Sequence, residues 1–206
     1  EILLGHLRYG TQGRNDVEFC HPFIKKNIIP SRNLALAGNF NLVNTEELFD
    51  LVNIQPGPFQ VQSDLAAMME VLHHFLVEAD EKSPGKTDIT SVLQKAVPLF
   101  DGGFHFAGIT GDGVSFVMRD AHGIRPSYYY INDDVIVAAS ERAAIRTAFN
   151  LEENEVQELM PGMALIVKAD GQYSLEQIIP AMDRKACSFE RIYFSRGSDE
   201  KIYRER

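Results

Sequence analysis

Arg8 and Thr11 lie in the stretch GHLRYGTQG (residues 5–13), where an apolar run led by Ile2, Leu3 and Leu4 reads as a strand over residues 1–9 entering a glycine-rich turn. An arginine at a strand end can grip a carboxylate through two parallel N–H donors, and a nearby hydroxyl adds a third. A structural salt bridge would use the same arginine without any ligand. A second stretch, AGNFN (37–41), reads as the end of a strand over residues 33–38 that turns sharply at Gly38 and Asn39. Such a turn leaves the Asn39 carboxamide and the backbone N–H of Phe40 free to converge on one spot, which is how an oxyanion hole is built. A plain asparagine turn is the simpler alternative. Third, Asp64 follows Ser63 at the head of a long helical pattern. The helix dipole favours a carboxylate there, where it can receive an amine or merely cap the helix.

Other candidates carry less chemistry. His73 and His74 are consecutive, so on a helix they point about 100° apart and cannot grip one metal ion together. No metal site is expected. GITGDG (108–113) has the glycines of a phosphate loop but runs strand–turn–strand, without the helix start that would receive an anion. Cys20 and His21 could pair as thiolate and imidazole, but Pro22 follows and no third member is evident. Cys187 lies far away with no CxxC spacing. Two such thiols suit a reducing cytoplasm, as free, half-buried side chains.

Helices and strands must position these groups. NTEELFDLVN (44–53), SDLAAMMEVLHHFLVEAD (63–80) and ITSVLQKAVPLF (89–100) read as helices. In the second, Leu65, Met68, Met69, Leu72, Leu76 and Ala79 recur at helical spacing and make one apolar face. From residue 101 onward GGFHFAGIT, GVSFVMR, SYYYIN and DVIVAAS read as strands separated by turn-forming residues. ERAAIRTAF (141–149) reads as a short helix, and a hairpin centres on Asp170 and Gly171. Regular βαβ alternation is missing, so the expected class is α+β, two antiparallel sheets covered by helices.

The chain has 206 residues, 45% of them hydrophobic and 24% charged, enough for one large domain or two small ones. A net charge of −9, from 20 basic and 29 acidic residues, disfavours nucleic-acid binding, which needs a basic face to displace counterions. No apolar run approaches a membrane span, and no signal peptide opens the chain. Glu1 begins in mid-pattern and the chain closes on the charged run SDEKIYRER. Both ends read as cut, so a longer parent is expected.

Taken in order, GHLRYGTQG, HPF, LALAGNFNLVN, SD at a helix start, RDAHGIRPSYYY, AASE, MPGMALIV and CSFERIYFSRGSD resemble the glutaminase domain of the amidophosphoribosyltransferase family. The resemblance runs from Gly5 to about Arg206. Its first and RDAHGIRP elements recur across class II glutamine amidotransferases, whereas the segment 187–199 is more specific to the purine enzymes. It implies an N-terminal-nucleophile hydrolase fold, a four-layer αββα sandwich, here lacking its first strand or strands. Residues 1–186 would form that domain, and 187–206 would begin the connection to an absent phosphoribosyltransferase domain.

The resemblance also implies an activity. Glutamine is hydrolysed, and its ammonia converts phosphoribosyl pyrophosphate to 5-phosphoribosylamine in the first committed step of purine biosynthesis, in a cytoplasmic homo-oligomer. By position, Arg8 and Thr11 would bind the glutamine α-carboxylate and Asp64 its α-amino group. Asn39 and the Phe40 N–H would stabilise the oxyanion. No cofactor is implied for these residues; Mg2+ would accompany phosphoribosyl pyrophosphate in the absent domain. Two departures stand out. The family nucleophile is an N-terminal cysteine, which neither Cys20 nor Cys187 matches, so these residues alone are expected to be inactive. The family pattern Asn-Gly is here Asn39-Phe40, and phenylalanine tolerates fewer backbone angles than glycine; a differently shaped hole, or one formed only on activation, is expected. Cys187 matches a position that ligates an iron–sulfur cluster in some members, and here a free thiol is expected. The rivals are an asparagine-synthetase-like enzyme of the same class, which segment 187–199 argues against, and a non-catalytic regulatory domain of the same fold, supported by Phe40.

Overall fold

A computed structural model describes residues 1–7, 17–53 and 63–194. In chain order the elements are β1 (Phe23–Lys25), β2 (Leu34–Leu42), α1 (Thr45–Leu51), α2 (Asp64–Lys82), α3 (Ile89–Ala96), β3 (Gly102–Thr110), β4 (Ser115–Arg119), β5 (Tyr128–Ile131), β6 (Ile136–Ala139), α4 (Arg142–Phe149), β7 (Gln157–Glu158), β8 (Met163–Val167) and β9 (Tyr173–Gln177). They form a six-stranded antiparallel sheet of order β1-β2-β3-β4-β8-β9 and a three-stranded sheet of order β6-β5-β7. Helices α1 to α3 cover one face of the large sheet, and α4 covers the small one. The layer order is helix, sheet, sheet, helix. This is the αββα order that the sequence resemblance implies.

The main core lies between α2, α3 and the large sheet. Leu65, Met68, Leu72 and Leu76 of α2 meet Leu36 of β2, Phe104 and Phe106 of β3 and Phe116 of β4, all of them buried. Burial of each such side chain stabilises the fold by about 1.5–3 kcal/mol. The α2 helix starts where its sequence dictates, because the Ser63 hydroxyl accepts the Ala66 N–H at 3.2 Å. Asp88 caps α3 in the same way through the Ser91 N–H. The helix expected over 89–100 stops at Ala96 and continues as a 3-10 turn, Val97–Leu99, because Pro98 cannot donate to the ladder.

Two expectations need correction. Residues 1–7 form no strand, although their apolar run suggested one, and Leu3 and Leu7 are 86% and 100% exposed. A strand is held by a ladder partner, and residues 1–7 have none among the described residues. The remainder of GHLRYGTQG, Arg8 and Thr11 included, lies outside the described residues.

The second correction matters more for the site. The chain does not turn at Gly38 and Asn39. Instead β2 runs straight through them, paired with β3 from Leu34↔Thr110 to Leu42↔Gly102. A Cβ on Gly38 would stand 2.5 Å from the His105 carbonyl oxygen and 2.8 Å from the Phe106 Cα. Glycine at this position permits close approach of two backbones. It does not make a turn.

Candidate functional site

Along β2 the side chains alternate, so Leu36, Phe40 and Leu42 face the helices while Asn39 faces the other way, toward the small sheet. Backbone N–H groups alternate as well, within the plane of the sheet. Those of Gly38 and Leu42 point away from β3, to His21 Nδ1 at 3.4 Å and Asp64 Oδ2 at 3.0 Å. The Phe40 N–H, between them in the same phase, points to that outer edge too. Beyond Leu36 no described strand pairs with this edge. The edge opens on a cleft of about 1730 Å³, which Asn39, Phe40, Asp64, His105, Arg125 and Glu190 help to line.

Asp64 is the first residue of α2, and the capping oxygen belongs to its neighbour Ser63. The Asp64 carboxylate instead ties three elements together: Oδ2 accepts the Leu42 N–H ending β2, and Oδ1 accepts the Thr45 hydroxyl opening α1, at 3.2 Å. A carboxylate offers about four lone-pair positions, so these bonds leave it able to accept from a ligand amine as well.

The loop after β4, DAHGIRP (120–126), is held by the two residues at its start. Asp120, 1% exposed, accepts the N–H groups of His122, Ile124, Arg125 and Phe104 at 2.9–3.3 Å. Arg119, 2% exposed, donates to the carbonyls of Gly123, Arg125 and Leu159 and to Glu158 Oε1. Gly123 takes φ +60°, with the Arg119 guanidinium within 3.2 Å of where a Cβ would sit. The motif is therefore a buried clamp that sets the direction of Arg125.

Sequence reasoning missed what Arg125 meets. Past β9 the chain returns along this loop: the N–H groups of Met182, Lys185 and Cys187 donate to the carbonyls of Ala121, His122 and Ile124 at 2.8–3.0 Å. The strap ends in a π-helical turn, Glu190–Phe194. Glu190 Oε1 there accepts from Asn39 Nδ2 at 2.7 Å and from Arg125 Nη1 at 2.8 Å. Only the sequence separation hid this triad; the residues are 151 and 65 positions apart from Glu190.

Beside it on β3, His105 pairs in register with Asn39 on one side and Arg119 on the other. Its Nε2 is buried without a hydrogen-bond partner among the described residues. Burial, with the Arg119 charge adding, holds the imidazole down at about 4, so it is neutral at physiological pH. The structure thus brings Asn39, Phe40 and Asp64 to one sheet edge. His73 and His74 lie apart from it on α2, and no group of three or more His, Cys, Asp or Glu able to hold a metal occurs among the described residues. Cys20 is exposed, Cys187 is half-buried, and both are free thiols. No helix among the described residues is long and apolar enough to cross a membrane.

Residues 21–147 match the family described as glutamine amidotransferase domain. The chain is 31% identical over 194 residues to an amidophosphoribosyltransferase of Archaeoglobus fulgidus, covering 94% of this chain and 39% of that protein. It is also 31% identical over 193 residues to the amidophosphoribosyltransferase of Bacillus subtilis, covering 94% of this chain and 37% of that one. Among solved structures, a glutamine phosphoribosylpyrophosphate amidotransferase from B. subtilis, complexed with ADP and GMP, superposes with a TM-score of 0.70 at 27% identity, covering 93% of this chain and 38% of that one. The chain thus spans roughly two fifths of the length of these curated relatives.

Proposed function

Because the chain belongs to the glutamine amidotransferase domain family, we propose that the edge of β2 is its glutamine site. In this reading the Asn39 Nδ2 and the Phe40 N–H donate to the oxyanion that forms when the substrate amide is attacked. Arg8 and Thr11 hold the α-carboxylate, and Asp64 receives the α-ammonium. The carrying observation is the outward phase of the Phe40 N–H, set by its Gly38 and Leu42 neighbours, on a strand edge that no described strand pairs beyond Leu36, next to the Asn39 carboxamide and within reach of Asp64 through Leu42. Backbone alternation makes phenylalanine acceptable at this position. Its ring turns toward the helices and stacks on His21 at 5.6 Å, while the N–H stays in the plane of the sheet. Each preorganised oxyanion donor is worth about 2.7–4 kcal/mol of transition-state stabilisation.

The ammonia so released is proposed to aminate phosphoribosyl pyrophosphate to 5-phosphoribosylamine in the full-length protein, a cytoplasmic homo-oligomer. Mg2+ would accompany the pyrophosphate at a site outside residues 1–206. The amidophosphoribosyltransferase relatives support this use over an asparagine-synthetase-like one. The test compares glutamine-dependent and ammonia-dependent amination in the full-length protein. Asn39→Ala is expected to lower glutamine-dependent kcat on the order of 10²-fold with KM nearly unchanged. Asp64→Asn is expected to raise the KM for glutamine, and neither variant should change the ammonia-dependent rate. If both rates fall together, or neither does, the site is misassigned.

A further inference from the structure

The geometry points to Glu190 as the positioning residue for the Asn39 carboxamide, with Arg125 as its charge partner; this inference rests on the oxyanion role proposed above for Asn39. An asparagine side chain can present either oxygen or nitrogen in a given direction, and only the nitrogen serves an oxyanion. An ionised carboxylate accepts and cannot donate, so Glu190 Oε1, at 2.7 Å, admits only the Nδ2 side of Asn39. The amide has two N–H groups diverging in its plane. One is committed to Glu190, which leaves the other with a fixed direction.

A carboxylate near a developing oxyanion would by itself oppose the reaction. The Arg125 guanidinium, 2.8 Å from the same oxygen, offsets that charge. Neither partner is held loosely. Arg125 has its backbone N–H on Asp120 at 3.2 Å and its carbonyl on Arg119 at 2.7 Å. Glu190 arrives on a strap bonded to the same loop three times, and its side chain is 14% exposed. A side chain fixed by packing and by partners that are themselves fixed is what a reactive donor requires. The RDAHGIRP clamp and the CSFER segment therefore serve one purpose, the aim of a single N–H.

The test uses the full-length protein. Glu190→Ala is expected to lower glutamine-dependent kcat tenfold or more while KM for glutamine stays within twofold and the ammonia-dependent rate is unchanged. Glu190→Gln, which can still accept from Asn39, is expected to recover most of that loss. Arg125→Ala leaves an uncompensated carboxylate and should also lower kcat. Adding Glu190→Gln to Arg125→Ala removes that charge, so the double variant should be faster than Arg125→Ala alone. A merely structural contact predicts the opposite order, with the double variant no better. That pair decides the matter even if Glu190→Ala fails to fold. The inference is overturned if Glu190→Ala keeps kcat within twofold or if the double variant shows no gain. Loss in Asn39→Ala with no loss in Glu190→Ala removes this inference and keeps the oxyanion reading. No loss in Asn39→Ala removes both.

Discussion

Acidification should destabilise this fold through His105 before most carboxylates titrate. The imidazole is 8% exposed, and burial beside Arg119 holds it at about 4, against an ordinary 6.5. Between those two values the unfolded chain binds a proton that the folded chain refuses, so stability falls as pH drops through that window and levels off below it. Linkage puts the loss at about 2 kcal/mol by pH 5 and about 3 kcal/mol by pH 4, relative to neutral pH. Denaturant unfolding of the chain and of His105→Gln, measured at pH 7.5, 6, 5 and 4, isolates this term. Asp80, held at about 2 by Ser31 and Arg32, contributes its own acid loss in both proteins and cancels in the difference. The wild type should lose about 2 kcal/mol more than the variant between pH 7.5 and 5. Parallel pH profiles would mean that His105 is protonated in the fold, and the account of its buried imidazole would then be wrong.

Two further outcomes follow from the scaffold around the site. Gly38→Ala places a methyl 2.5 Å from the His105 carbonyl oxygen, and should cost about 1–3 kcal/mol by forcing β2 and β3 apart, read as a lower unfolding midpoint. Arg119→Lys keeps the charge but loses the fork that reaches three carbonyls and Glu158. It should cost about 3 kcal/mol or more and speed amide exchange selectively in residues 121–125; uniform exchange would refute the clamp.

The helices were the most legible part of the sequence. The spacing of Leu65, Met68, Leu72 and Leu76 allows a single buried face, and Ser63 is a cap by its own chemistry. The antiparallel block was nearly as plain, because turn-forming residues separate β-branched and aromatic runs at each connection. Residues 1–7 misled: an apolar run can propose a strand, but only a partner edge can make one. AGNFN misled in a more useful way. Glycine and asparagine signal turns, and here that preference yields to nine consecutive pairings with β3. The proposal for Asn39 and Phe40 does not depend on a turn, since a strand edge exposes a backbone N–H as well as a turn does.

Residue types and local spacing determined the helices, most of the strands and which faces turn inward, and they singled out Asn39, Phe40 and Asp64 as candidates. These depend on neighbours within a few positions, and such information is written in the chain. Tertiary structure alone decided that Asn39 Nδ2 meets Glu190, that Arg125 shares the same oxygen, and that His105 is dry enough to stay neutral. Each of these depends on segments 65 or more residues apart in sequence, or on how much water remains around a side chain. Contact between distant segments and exclusion of water arise only when the sheets and the strap close on one another.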